Sequence, residues 1–380
     1  MRFLHTSDWH LGRYFHNVSL IEDQRHVLHQ IIAMVQTDRI DAVLIAGDIF
    51  DRALPPTEAM TLLEEFFHQV ADEQNVPIIL IAGNHDQAQR LSFGSRLFAH
   101  RGVHILTELS QEPKPVLLND EHGEVAFFGI PYADPVLVRD QLDADVQTHE
   151  RAMAAITQLI LPQIKPTQRS VILAHCFIDG SETSDSERTL SLGGAERIPY
   201  ELFDKFHYTA LGHLHGPQFR GKETIRYSGS PLKYSFSEVT QNKSVSIVDI
   251  NETGHCEVEK RLLSPLRDMR IIEGTLESII EKAKEDPNPQ DYLLVRLMDK
   301  QALYDPMSKL RVYYPNVLQL EKPFLHQTGE RQTTKRENLK KGELPMFQDF
   351  YQQMTGDTLN KEAEELVSTL LERIHQGEVV

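Results

Sequence analysis

Five short polar clusters in this 380-residue sequence carry the residue types that bind divalent ions: Asp8-Trp9-His10, Gly47-Asp48-Ile49-Phe50-Asp51, Gly83-Asn84-His85-Asp86, His175 and Gly212-His213-Leu214-His215. Carboxylate and amide oxygens mixed with imidazoles suit manganese, iron or zinc better than calcium. Two such ions about 3.5–4 Å apart can present a hydroxide in line to phosphorus while offsetting charge on the phosphoryl oxygens. One carboxylate must then lie between them. Glycines before Asp48, Asn84 and His213 suit sharp turns where backbone passes close to metal or phosphate. Singly, Asp-x-His or Gly-His-x-His is more often surface or satisfied core, and Gly-Asn-His-Asp is a stronger signal. All five in order point to one metal site.

Each cluster follows an apolar stretch that reads as a strand, at residues 2–6, 41–46, 76–82, 171–174 and 208–211. Ligands of open α/β sheets collect at the carboxyl ends of strands, so five strand ends would deliver these side chains to one crevice. Helical periodicity runs through 20–38, where Val27, Ile31, Ile32 and Val35 share a face, and Pro55-Pro56-Thr57 opens a second helix to about Glu73. This βαβαβ rhythm predicts a sheet covered on both faces. Further strands are expected at 103–107, 125–130, 224–227 and 244–250, with a helix at 149–161. Few helices follow Asp204, so that part of the sheet is expected to be partly antiparallel.

The pattern changes near Leu263-Ser264-Pro265. Residues 269–320 read as a small β-α-β-α-β domain, and 321–343 as a polar, locally basic linker with Arg331, Lys335, Arg336, Lys340 and Lys341. From 344 to 376, Phe347, Phe350, Tyr351 and Met354, then Ala363, Leu366, Val367, Leu370, Leu371 and Ile374, fall at helical spacing around a Thr355-Gly356-Asp357 turn. Such a helix pair is too short to bury its own apolar faces.

Composition bears on which phosphoesters such a site could meet. Lys plus Arg is 39 against 56 Asp plus Glu, a net charge of −17, whereas a protein that grips DNA by its own surface is usually basic. Bound cations would reverse the field locally, and a partner would have to supply much of the DNA affinity. The two cysteines, Cys176 and Cys256, argue against a disulfide framework. No apolar run approaches the ~20 residues of a membrane span, and the start has no secretory h-region, so a cytoplasmic enzyme is expected.

The ordered set resembles the calcineurin-like metallophosphoesterase superfamily. Within it, Met1–Gly12 and Tyr227-Ser228-Gly229-Ser230-Pro231-Leu232-Lys233-Tyr234-Ser235-Phe236-Ser237-Glu238 resemble the SbcD family of bacterial nuclease subunits. The resemblance implies a two-sheet α/β sandwich at 1–262 with the dimetal site at its apex, a capping domain at 266–320, and a partner-binding helix pair at 344–376. Position by position it implies Asp8, His10 and His215 on one metal, Asn84, His175 and His213 on the other, and Asp48 bridging. His85 corresponds to the non-ligand histidine at the scissile phosphate, and Asp51 to an aspartate that orients it. Also implied are two Mn²⁺ (Mg²⁺ or another divalent ion being an alternative) and 3′→5′ exonuclease activity on double-stranded DNA. With these come endonuclease activity at hairpins or blocked ends, a homodimer, an SbcC-type ATPase partner, and a nucleoid-associated role in DNA repair.

Several residues carry plainer expectations. His5 reads as a satisfied core group, Trp9 as packing under the site, and Cys176 as pointing away from His175 by strand alternation. Residues 179–194 read as a loop without assigned role. Two competing readings are a small-molecule or protein phosphoesterase of the same superfamily and a metal-free scaffold. The former needs no domains beyond about Ile250, and the latter is at odds with an intact ligand set.

Overall fold

The computed structural model describes residues 1–187, 197–301, 303–323, 342–355 and 358–375. The chain divides into two units, Met1–Leu266 and Arg267–Val380. The first contains two six-stranded sheets. In one, the parallel strands Arg2–Thr6, Ala42–Ile45, Ile78–Ile81 and Val103–Leu106 run side by side, and Ser244–Ile250 and Cys256–Leu262 continue the Arg2–Thr6 edge antiparallel. In the other, Lys222–Tyr227, Tyr208–Gly212, Arg169–His175 and Gly123–Ile130 are parallel, flanked by antiparallel Gln218–Arg220 and Val116–Asp120.

Continuous apolar strands such as Ala42–Ile45 and Ile78–Ile81 are buried along their whole length, as parallel strands covered on both faces must be. Phe3, Leu44, Ile79, Phe127, Leu173, Tyr208 and Val248 fill the space between the sheets. Helices Ile21–Thr37 and Thr57–Phe67 cover the outer face of the first sheet through Leu28, Ile31, Val35, Leu62 and Phe66. Helices Pro135–Leu142 and His149–Ile160 cover the second through Val138, Met153 and Ile156. The result is a mixed α/β sandwich of helix, sheet, sheet and helix layers. Val116–Asp120 and Cys256–Leu262 escaped the sequence reading because they are edge strands with charged, partly exposed residues, the composition edges need to resist further pairing.

In the second unit, Met269–Gly274, Tyr292–Leu297 and Val317–Glu321 form a parallel three-stranded sheet in chain order. Leu276–Ala283 and Pro306–Arg311 join them and share its core through Ile279, Leu310 and Val295. From 324 to 341 the expected linker lies outside the described residues. Helices Glu343–Thr355 and Lys361–His375 lie against each other, with Gln348 Nε2 donating to Glu364 at 2.8 Å and His375 meeting Glu343 at 2.9 Å. No helix among the described residues is long and apolar enough to cross a membrane.

Candidate metal centre

The turns leaving the strands are tied to one another before any side chain is considered. Asp8 N–H donates to the Gly47 carbonyl at 3.0 Å, His10 N–H to Asp48 at 3.0 Å, and Leu11 N–H to Ile49 at 2.9 Å. Carboxylates then clamp neighbouring turns. Asp8 accepts the His213 N–H at 2.9 Å, and Asp48 Oδ1 accepts that of His85 at 2.9 Å. Asp86 accepts N–H groups from Ile49, Phe50 and Gly83 at 3.0, 2.9 and 2.9 Å. Glycine is needed where these turns meet: a Cβ on Gly212 would stand 1.9 Å from the Ala46 carbonyl oxygen, and one on Gly83 2.1 Å from Asp48 Oδ1.

Inside this frame the seven expected ligands converge. Asn84 Oδ1 lies 2.9 Å from His175 Nε2 and 3.2 Å from His213 Nδ1. His10 Nε2 lies 3.1 Å from His215 Nε2, with an Asp8 oxygen within 4.8 Å of a nitrogen of each. Asp48 Oδ2 stands between the groups, 3.6 Å from His10 Nε2 and 3.5 Å from His175 Nε2. All are buried except Asn84, which is partly exposed.

The donor set fits divalent cations. Burial keeps His10 well below its usual range and holds His213 down at about 3, so both imidazoles are neutral with lone pairs free. The imidazole nitrogens of His10 and His215, facing each other across 3.1 Å, are at the spacing of neighbouring ligands on one ion, whose metal–nitrogen bonds are about 2.0–2.1 Å. His10 Nδ1 is buried and has no hydrogen-bond partner among the described residues. Burial pushes Asp8 up to about 6, helped by the nearby Asp48 charge. Burial would also raise Asp48, but the charge and hydrogen bond of His175 outweigh it and hold that carboxylate well below the usual range. His175, opposed by burial, is lifted to about 9 by Asp48.

His85 lies at the rim of this group. Its ring is 4.6 Å from that of His10, and its Nε2 is 4.0 Å from Asp48 Oδ2. The expected orienting contact with Asp51 takes a different form. His85 Nδ1–H donates to the main-chain carbonyl of Asp51 at 2.8 Å. The Asp51 carboxylate accepts from Arg13 at 3.1 Å and stands 3.7 Å from His10 Nδ1. The cause is local: Asp51 N–H is bonded to the Leu11 carbonyl, which holds the 49–51 turn against 10–13 and brings Arg13 to the side chain.

His5 is satisfied by Tyr208 Oη at 2.9 Å and the Leu211 carbonyl at 3.2 Å. Trp9 donates to Thr6 and packs on Phe66, and Cys176 is buried among the helix-side residues of the second sheet. Residues with no assigned role in the sequence reading prove to support the site. Gln24 Nε2 donates to the His10 and Trp9 carbonyls at 2.7 and 3.1 Å, while its Oε1 accepts from Gly12 N–H at 3.0 Å. Tyr234 donates to the Trp9 carbonyl and places its ring against both His10 and His215. Glu238 and Lys243 are buried behind His215.

Residues 1–217 match the calcineurin-like phosphoesterase family, and residues 265–355 match the SbcD C-terminal domain, described as a type 5 capsule protein repressor C-terminal domain. The SbcD component of the SbcCD nuclease of Staphylococcus epidermidis is 34% identical over 372 residues, covering 98% of each chain. Among solved structures, GAP50, the anchor in the inner membrane complex of Plasmodium, is 12% identical with a TM-score of 0.42, over 70% of this chain and 90% of that one. A dimetal phosphatase from Danio rerio is 10% identical with a TM-score of 0.40, over 69% and 96%. Neither distant likeness bears on the assignment, which the near full-length relative and the two domain matches decide: this chain belongs to the SbcD family of calcineurin-like phosphoesterases and is a metal-dependent phosphodiesterase.

Proposed function

We propose that the chain is the nuclease subunit of an SbcCD-type complex. On this reading it cuts duplex DNA 3′→5′ from ends and opens hairpins or blocked ends in DNA repair, as a cytoplasmic homodimer joined to an SbcC-type ATPase. The observation that carries the reading is the position of Asp48 Oδ2, 3.6 and 3.5 Å from imidazoles of two separate donor groups. Asp8, His10 and His215 would hold one Mn²⁺, Asn84, His175 and His213 the second, and Asp48 both. Two divalent ions, when bound, polarise the phosphodiester and lower the pKa of water.

The chain's own residues do the rest. The Asp51 carbonyl accepts the His85 Nδ1 proton, which leaves Nε2 facing the centre. From there it is placed to hold a proton for the departing 3′ oxygen, a poor leaving group unless neutralised. Arg13, over the Tyr234 ring at 4.9 Å, keeps the Asp51 turn in register. The tail helices expose Phe347, Phe350, Leu366 and Ile374, an apolar surface of the kind used in helix-groove recognition. A partner there would supply DNA affinity that a chain of charge −17 lacks.

The test is Mn²⁺-dependent cleavage of duplex and hairpin DNA, with and without the ATPase, beside chromogenic phosphodiester and phosphomonoester substrates. DNA cleavage that the ATPase stimulates is expected. A chain that turns over only the small substrates would be a small-molecule phosphoesterase, and one that binds no ions a scaffold. Removing residues 345–380 should leave the Mn²⁺-dependent activity and abolish co-purification with the ATPase.

A further inference from the structure

On the Nδ1 side of His215 lies a polar cluster that no step above uses. Glu238 is 0% and Lys243 6% exposed. Glu238 Oε2 accepts from Lys243 Nζ at 2.6 Å and from Tyr234 N–H at 3.3 Å. Its Oε1 accepts from Ser184 Oγ at 3.1 Å and from Ser186 Oγ. Ser186 Oγ is in turn 2.6 Å from His215 Nδ1, with Glu238 Oε1 itself 3.3 Å from that nitrogen. The main chain of His215 is gripped by the same group: its N–H donates to Glu187 at 2.7 Å, and its carbonyl accepts from Lys243 at 2.9 Å.

Proton counting fixes the direction of these bonds. A carboxylate only accepts, so the single Ser186 hydroxyl proton goes to Glu238, and Ser186 must accept its other bond from His215 Nδ1–H. With Nδ1 as the donor, the ring turns its other nitrogen, Nε2, toward His10 Nε2, 3.1 Å away. Burying a carboxylate and an ammonium is a poor route to stability, since an apolar pair of similar volume does as well or better. Orientation of a ligand is a use that an apolar pair cannot serve.

We infer that Glu238 is a positioning residue for His215: acting through Ser186, with Lys243 as its counter-charge, it fixes the tautomer and aim of the ring and so sets the affinity of one of the two ions. This gives the 184–187 stretch a task, that of carrying the relay hydroxyl. The inference rests on His215 being a metal ligand, so His215→Ala is measured alongside.

The experiment uses the full chain, Mn²⁺ alone as probe, and two readouts: calorimetric titration, and long-range ¹⁵N–¹H spectra of the histidine rings without metal. The variants are Glu238→Gln/Lys243→Met, which removes both charges together, and Ser186→Ala, which removes only the hydroxyl. One Mn²⁺ should weaken by on the order of 10- to 100-fold in the double variant, the other staying within about twofold. His215 should lose its pure Nδ1–H signature in both variants, while the remaining histidines keep theirs. If His215→Ala weakens an ion but the double variant binds both ions as the parent does, or if His215 keeps its tautomer, the inference is wrong. If His215→Ala itself leaves both ions bound, the functional assignment fails first. Should the double variant not fold, Ser186→Ala decides by the tautomer readout.

Discussion

The two donor groups of the centre are held in different ways. Around Asn84 the support is main chain. His175 Nδ1–H donates to the Ala46 carbonyl at 2.9 Å, and glycines at 47, 83 and 212 let three turns close on each other. Around His10 and His215 the support is side chain: Gln24 and Tyr234 grip the 9–10 turn, and Ser186, Glu187, Glu238 and Lys243 grip His215. The first group rests mainly on close main-chain packing, with the Asp8 and Asp86 carboxylates clamping its turns. The second is set by residues that can be exchanged one at a time, so the aim of its donors is the more adjustable.

The largest effect should come from the residue common to both groups. Asp48→Ala is expected to reduce cleavage to background and bound manganese to less than one per chain by elemental analysis. Near-normal activity with two ions would break the comparison at its centre. His85→Ala keeps the main-chain N–H that bonds Asp48 and removes no donor from either group, so both ions should remain while cleavage falls by ~10²–10⁴. Loss of metal in that variant would make His85 a ligand.

Gly47→Ala addresses the main-chain group alone. At φ +91° its Cβ would lie 2.4 Å from His175 Nδ1. The strain should cost on the order of 2–4 kcal/mol in denaturant titration and weaken one ion by ~10–100-fold. Unchanged stability and binding would show that main chain does not hold His175. The smallest effect is expected for Asp51→Asn, which keeps the carbonyl that His85 uses and alters only the contacts to Arg13 and His10. Turnover should fall less than about tenfold, the scale of one hydrogen bond, with metal content unchanged. A loss fully additive with that of His85→Ala would mean that the two do not act as a unit.

The same division explains what the sequence made legible. Asp8, His10, Asp48, Asn84, His175, His213 and His215 each follow an apolar strand, three of them after glycine, so local pattern sufficed to collect them. Their side-chain supports come from far along the chain and from segments with ordinary patterns. Gln24 did leave a trace: with Leu28, Ile31 and Val35 it lies on the buried face of helix Ile21–Thr37, an uncharged polar group among apolar neighbours. Lys243 left none and Glu238 appeared only as the end of the stretch that carries the family resemblance, since a charge pair outside long helices and strands reads as solvated. For Asp51 the sequence offered a carboxylate, and only the turn geometry reveals that its carbonyl meets His85.

Four of the candidate ligands also carry a conformational burden. Asp8, His10, Asp48 and His213 have φ of +53°, +46°, +49° and +108°, values that residues with a Cβ rarely adopt. Each left-handed residue costs about 1–2 kcal/mol, so the apex stores strain that the rest of the sandwich must offset. Divalent ions, binding the folded apex and not the unfolded chain, return part of that energy by mass action. The chain therefore couples its melting to its metal supply. Chelation should loosen the apex before the sheets, and a glycine at position 10 should relax the chelated protein while forfeiting the ion it was strained to hold.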